Sequence, residues 1–426
     1  MKRLFSYIIV ALTAATMLAG TPQEDIAARI RLSASNHTIY PEENLPKLTP
    51  APAGYEAFFI DHYGRHGSRW LSSETTYQRP VDLLLHGKQA GLLTEQGTRL
   101  LATLQRVLAS AHQRAGELSD KGAEQHQHIA ERMYHNFPSV FAGNARIDAR
   151  STVVIRCILS MQNATSTLRS LNPALRITTD ASYHDMYYLG YGYGIDTLAR
   201  HIPKALYPIV DSMYTHVPTE RFMKQIFTQP DSTIMAGRTR FMRDVFDIAG
   251  SLQGHHEFDN VDLFHLFNGS EIFELWRIRN IMWYLQRANS PANGNRMPFI
   301  MSDLLRDLIS KADAAVASRE RGAALRFGHE SVVLPLACLM EIDNINLSTT
   351  DLDNLHLQWK SYEIIPKGCN IQMVFYDNGT DDVLVKVLYN EHEATLPVNT
   401  DVAPYYHWSD LKAYYERKLA TPINWN

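Results

Sequence analysis

The pentapeptide Arg65-His66-Gly67-Ser68-Arg69 puts two guanidiniums and an imidazole within five residues, just after the apolar run Ala57 to Ile60. Forked guanidinium donors match the oxygens of a phosphate group, and an imidazole nitrogen between them can attack phosphorus. Gly67 lets the backbone approach an anion with no Cβ in the way. The plain alternative is a surface turn with two solvated arginines, so the remaining chain has to decide. Two further places offer matching chemistry. His329 and Glu330 follow the strand-like run Ala323 to Phe327, and Arg156 lies near the start of a helical segment behind Ala145 to Thr152. Neighbouring strands of an open α/β sheet would deliver all of these to one crevice at their carboxyl ends.

The elements that must position them read as follows. Apolar spacing predicts helices over Gln78 to Gly91, from Leu92 to about His112, and from Ser119, a side-chain cap, through His126, Ile129 and Met133. Ala145 to Thr152 alternates Ile147 and Ala149 with Arg146, Asp148 and Arg150, the period of a strand. An amphipathic helix is expected from Asp303 to about Arg319, and another after Ser331. Asn370 to Tyr376 and Val383 to Tyr389 alternate about Asn378-Gly379 as a hairpin, and Ser409 to Leu419 closes the chain as a helix. The stretch to about Ala53, studded with prolines, reads as an extended lead-in. Aromatic clusters and helix-period segments between 163 and 298 (Leu263 to Phe267, Phe273 to Arg287) read as a mainly helical insertion. Within it, Gly190 to Gly194 alternates glycine and tyrosine and reads as a tight loop, without nucleotide-binding spacing. The expectation is an α/β protein: a mainly parallel central sheet flanked by helices, with an inserted mainly α-helical cap domain. Residues 21–162 and 299–426 would form the core and 163–298 the cap.

With 426 residues and a formal net charge of −4, the chain can build a large core but carries no general field for nucleic acid. Local arginines must draw any anionic ligand. Lys2 and Arg3 precede an apolar run from Leu4 to Leu18, then Ala19 and Gly20, so residues 1–20 read as a signal peptide. Thr21 stands where a lipidated cysteine would be needed. Export to the periplasm or medium without a membrane anchor is therefore expected. Cys157, Cys338 and Cys369 are too few for a disulfide framework and fit no zinc spacing. His126-Gln127-His128 and His255-His256-Glu257 look ligand-like but read as solvated surface residues.

Taken together, Arg65-His66-Gly67-Ser68-Arg69, the Ser151 to Ser160 stretch with Arg156, and Phe327-Gly328-His329-Glu330 resemble the histidine acid phosphatases. The likeness is nearest to the multiple inositol polyphosphate phosphatases and related phytases, and it covers most of the mature chain. There are two departures. Leu71 stands where the family usually has proline. His329-Glu330-Ser331 matches neither His-Asp nor the His-Ala-Glu of the inositol polyphosphate branch. The resemblance implies a fold like that of phosphoglycerate mutases and acid phosphatases, a small phosphomonoester as substrate, and no metal or other cofactor. It implies His66 as nucleophile, with Arg65, Arg69, Arg156 and His329 binding phosphate. Glu330, the only local carboxyl group, is expected to be the proton donor. Inositol polyphosphates such as phytate are the leading substrates. A broad acid phosphatase acting on sugar phosphates or nucleotides is one alternative, and an exported anion-binding protein with a relic pocket is the other.

Overall fold

The structure is a computed structural model that describes residues 20–43, 45–191, 201–421 and 423. The expected signal peptide up to residue 19, and residues 192–194 of the glycine-tyrosine run, lie outside the described residues. One sheet organises the fold. Its strands are β1 (Glu56–Arg65), β2 (Arg146–Ser151), β3 (Arg176–Asp180), β4 (Gly322–Gly328), β5 (Asn370–Asp377), β6 (Val383–Tyr389), β7 (His392–Glu393) and β8 (Tyr406–His407). The order is β3-β2-β4-β1-β5-β6-β7, with β8 also paired to β6. The pairings β2–β3, β2–β4 and β1–β4 are parallel, whereas those of β5 to β8 are antiparallel. The sheet is thus α/β with flanking helices as expected, and its parallel part is the half that ends at Arg65, Ser151 and Gly328.

The strand period divides the core in two. Ile147, Ala149, Leu325, Phe327 and Val374 face one layer, which includes Ala130, Met133, Met161 and Leu168 of the helices Asp120–Asn136 and Ile155–Leu171. Met373, Phe375, Val385 and Val387 face the other. That layer is filled by the helices Ser302–Ser318 and Glu330–Met340 and by a helical mass including Ser232–Leu252 and Gly269–Arg287. Among the described residues no helix is long and apolar enough to cross a membrane.

Three features differ from the sequence reading. Residue 163 falls inside the helix Ile155–Leu171, and β3 behind it joins the sheet, so the sheet draws on chain expected in the cap. β3 escapes the pattern because it is an exposed edge strand with Ile177 as its one apolar residue. The lead-in is not extended throughout: Pro22–Ala28 is a helix and Ile30–His37 a 3₁₀ segment. Thr21 and Glu24 cap that helix reciprocally, with Pro22 at its first position. Finally, Phe264–Leu266 forms only a short 3₁₀ turn.

Candidate active site

The strand register assembles the site. Arg65, the last residue of β1, pairs with Gly328, the last of β4, so His66 and His329 each follow the end of a neighbouring parallel strand. Their rings lie 5.6 Å apart, centroid to centroid. Ser151 of β2 pairs with Phe327, which brings Thr152 and the helix carrying Arg156 to the same edge. The helices Ile155–Leu171 and Glu330–Met340 both start here without a side-chain cap, so their first N–H groups remain available to an anion.

The turn after β1 is held rigidly. The His66 N–H donates to the Gly328 carbonyl (2.9 Å), Gly67 N–H to Ser160 Oγ (3.2 Å) and Ser68 N–H to Gln125 Oε1 (2.8 Å). Gly67 is required here for a reason the sequence does not show. A Cβ on it would come within 2.1 Å of the Gly122 carbonyl oxygen, where the helix Asp120–Asn136 crosses the turn.

His66 is fully buried, and its Nδ1 lies 2.8 Å from the Gly67 carbonyl. A carbonyl can only accept, so Nδ1 carries the hydrogen and the lone pair is on Nε2. That Nε2 has no hydrogen-bond partner. Burial, followed by Arg156 and Arg65, holds the imidazole's pKa well below its usual value and keeps it neutral. His329 is lowered to about 3, again by burial first and Arg156 second. Its Nδ1 is 3.4 Å from Arg156 Nη2 and its Nε2 is 3.3 Å from Thr152 Oγ1.

Arg65 donates to the carbonyls of Asn36 and Ile365 (both 2.8 Å) and to Glu330 Oε1 (2.7 Å). Asn36 Nδ2 donates to the same carboxylate oxygen (3.0 Å). Glu330 Oε2 lies 3.8 Å from His66 Nε2. Burial pushes the Glu330 carboxyl up, but Arg65, Lys367 and Arg69 together pull it far below the carboxylate range. Among these cations it is therefore ionised, and a role as proton donor requires a bound anion to offset them. Burial, only partly offset by Glu330, draws Arg69 down to about 10, where it is still charged. The Nε atoms of Arg65, Arg69 and Arg156 are buried without a partner, as is Nζ of Lys367.

All six residues singled out in the sequence thus lie together. Asn36, His37 and Lys367 did not stand out there as site residues, because the fold brings them in from the distant 3₁₀ segment Ile30–His37 and the loop before β5. The two histidine groups expected on the surface are only half there. His126 is buried against Phe327 and the Arg65 backbone, and the His255 ring lies 4.1 Å from that of Trp70, tilted against it. His128 and His256 pair with Glu42 and Glu124 at the surface. The three cysteines are buried free thiols. Potential ligand atoms of His66, His329 and Glu330 lie within 4.8 Å of one another, a spacing that could hold a metal ion. The surrounding arginines suit an anion better. A separate cleft of about 730 Å³ lies at the opposite ends of β2 to β4. Its Arg150, Lys311 and Arg321 are committed to Asp185, Asp148 and Glu56.

No protein-family model matches the chain. It is 21% identical over 320 residues to multiple inositol polyphosphate phosphatase 1 of Gallus gallus, covering 70% of this chain and 68% of that protein. The Bifidobacterium longum multiple inositol polyphosphate phosphatase, solved with inositol hexasulfate, superposes with a TM-score of 0.77 at 16% identity, covering 90% of this chain and 97% of that one. The phytase from D. castellii gives a TM-score of 0.67 at 15% identity, covering 96% and 90%. The resemblance drawn from the motifs is borne out, and the fold is that of the histidine acid phosphatases.

Proposed function

From the histidine acid phosphatase fold, we propose that this chain hydrolyses phosphomonoesters through a phosphohistidine, with inositol polyphosphates such as phytate as leading substrates. The observation that carries the reading is His66 Nε2: a buried, neutral, unpartnered nitrogen among arginine donors that are also unpartnered. A neutral imidazole is a competent nucleophile, and orphaned buried donors are costly unless a ligand satisfies them. In this scheme His66 Nε2 attacks phosphorus in line while Arg65, Arg69, Arg156 and His329 hold the equatorial oxygens of a loose transition state. The phosphate charge offsets the cations around Glu330, so its free Oε2 takes a proton from solvent as the ester binds and passes it to the alkoxide as the phosphorus–oxygen bond breaks. In the second step water attacks the phosphohistidine, gives its proton back to the Glu330 carboxylate and releases His66 as the phosphorus–nitrogen bond breaks. The substrate class is supported by the names of the similar proteins and by the inositol hexasulfate bound to one of them. The reading includes an inserted helical cap over the site, to which Arg287, stacked 4.0 Å from Tyr191, belongs. It also includes export, on the segment Lys2 to Leu18.

Rapid quench with a labelled phosphomonoester tests the reaction. An acid-labile, base-stable phosphoenzyme that appears with wild type and not with His66→Ala is expected. Turnover without any phosphoenzyme would overturn the mechanism. A screen of phytate against sugar phosphates and nucleotides tests the substrate, and preference for a simple sugar phosphate would replace phytate in the reading.

A further inference from the structure

Lys367 has the environment of a ligand-binding group. The residue is 2% exposed, and its Nζ has no hydrogen-bond partner. Lysines are rarely buried unless paired. Lys386, equally buried, follows that rule, since its Nζ donates to the Thr49 carbonyl (2.5 Å) and to Glu393 (2.7 Å). Lys367 lies in the loop leading into β5, pinned to the site through its backbone. Its N–H donates to the Thr38 carbonyl (2.8 Å), the next N–H donates to the His66 carbonyl (3.2 Å), and the preceding carbonyl accepts from Arg65 (3.1 Å).

The groups around the amine explain what it lacks. Arg65, His66 and Arg69 come from β1 and its turn, and Arg156 from the helix Ile155–Leu171. His37, His255 and Cys369 complete the neighbourhood, and none of them supplies a negative charge. Among the described residues around the amine, Glu330 is the one anion, and its Oε1 is already taken by Arg65 and Asn36. Three guanidiniums and an amine around one carboxylate leave a site short of negative charge.

We propose that Lys367 is a further substrate-binding residue, which gives its Nζ to a phosphate group of the ester when the pocket is filled. The inference rests on reading the site as a phosphate site and adds a ligand to it. Burial and then Arg65 and Arg69 hold the amine's pKa well below the usual value. A phosphate dianion reverses that field, so phosphate binding favours the ammonium form of Lys367 and draws protons from the buffer. The amine becomes an ammonium, and no bond to phosphorus is made or broken.

Calorimetric titration of the full chain with inorganic phosphate, in buffers of equal pH and different ionisation enthalpy, tests this. Wild type should take up more protons per phosphate than Lys367→Met. Lys367→Met should bind about ten- to hundredfold more weakly, the range of one charge-assisted hydrogen bond. Lys367→Arg keeps the charge without the titration. It should recover much of the affinity but show the proton count of the methionine variant. Unchanged affinity and proton count in Lys367→Met, or in Lys367→Gln if the first variant does not fold, overturns the inference. Phosphate binding with the Lys367-dependent proton, but no turnover of any ester, would sink the phosphatase reading and leave this one standing. Normal turnover without that proton would do the reverse.

Discussion

β1 carries two buried charged clusters on one face, about four residues or roughly 13 Å apart, and they are built on opposite principles. At Asp61, Arg326 Nη1 bonds the Asp61 carboxylate and its Nε and Nη2 bond Asp307, so one guanidinium serves two acids. At Arg65, guanidiniums and an amine outnumber the single carboxylate, and several of their nitrogens have no partner. The Asp61 cluster matches its guanidinium with two carboxylates, although Asp61 Oδ2 is itself without a partner. A cluster of like charges with unmet donors is costly to fold and is explained by an anion that binds there. The balance of charge, more than the count of partners, is what separates the two.

The sharpest way to break the contrast is His66→Ala. Turnover of p-nitrophenyl phosphate and of phytate should fall at least about a thousandfold, as expected when a covalent nucleophile is lost. Thermal unfolding should shift little, because the ring leaves a site that was already unsatisfied. Retention of more than a few per cent of activity would remove His66 from the nucleophile's role.

Arg326→Met probes the other cluster and should reverse the pattern. It strands Asp61, which is fully buried, and should cost about 3–5 kcal/mol of stability in denaturant titrations near neutral pH. Burial, against the pull of Arg326, already raises the Asp61 carboxyl above its unfolded value, and Asp307 adds to the rise. A raised acid is tolerated protonated and penalised ionised. Wild-type Asp61 ionises near pH 7 and the stranded acid only above that, so the deficit should grow as pH climbs past about 7 and level off below it. Loss of activity in a variant of unchanged stability would show that this cluster also serves the site.

The sequence announced one cluster and hid part of both. Arg65-His66, His329-Glu330 and Arg156 were legible because each follows a strand end, where an apolar run breaks into polar residues. Lys367 and Asn36 were not, since a lysine or asparagine in a loop carries no period. Asn36 also meets Glu330 across 294 residues of chain. The helix that precedes Asn36 did leave a readable sign in Thr21-Pro22-Gln23-Glu24, which the nearby prolines masked. His126 and His255 read as surface groups beside their exposed neighbours, yet packing under the turn buries them. Gly67 was read as room for an anion, while the nearest constraint is the backbone at Gly122.

Glu330 is where the unpaired cluster is least unpaired, and Glu330→Gln sharpens its role. The variant keeps the side chain's length and its bonds to Arg65 and Asn36 but cannot supply a proton. Turnover of alkyl phosphates such as inositol phosphates should fall by about 10²-fold or more, the low end of general acid catalysis. Turnover of p-nitrophenyl phosphate should fall only a few-fold, because nitrophenolate leaves without help. Equal losses on both substrates would make Glu330 an anchor for Arg65 and place the proton elsewhere.

The smallest expected effect concerns the charge that the cluster imposes on its own nucleophile. Burial and then Arg156 are the two largest influences lowering His66. Arg156 is half-buried, donates to Gly116 and His329 only at 3.4 Å, and is therefore the cation removed with least disturbance. Arg156→Gln should weaken substrate binding and, separately, move the acid limb of kcat/KM to higher pH. The sign follows from the charge: without the neighbouring cation, imidazolium is less disfavoured, so His66 protonates at a higher pH and is lost as nucleophile sooner on acidification. The measurement is the pH profile of kcat/KM for p-nitrophenyl phosphate, chosen because its leaving group needs no acid and leaves the limb to the nucleophile. An acid limb that stays in place while affinity drops would mean that Arg156 meets the substrate but does not set the charge state of His66.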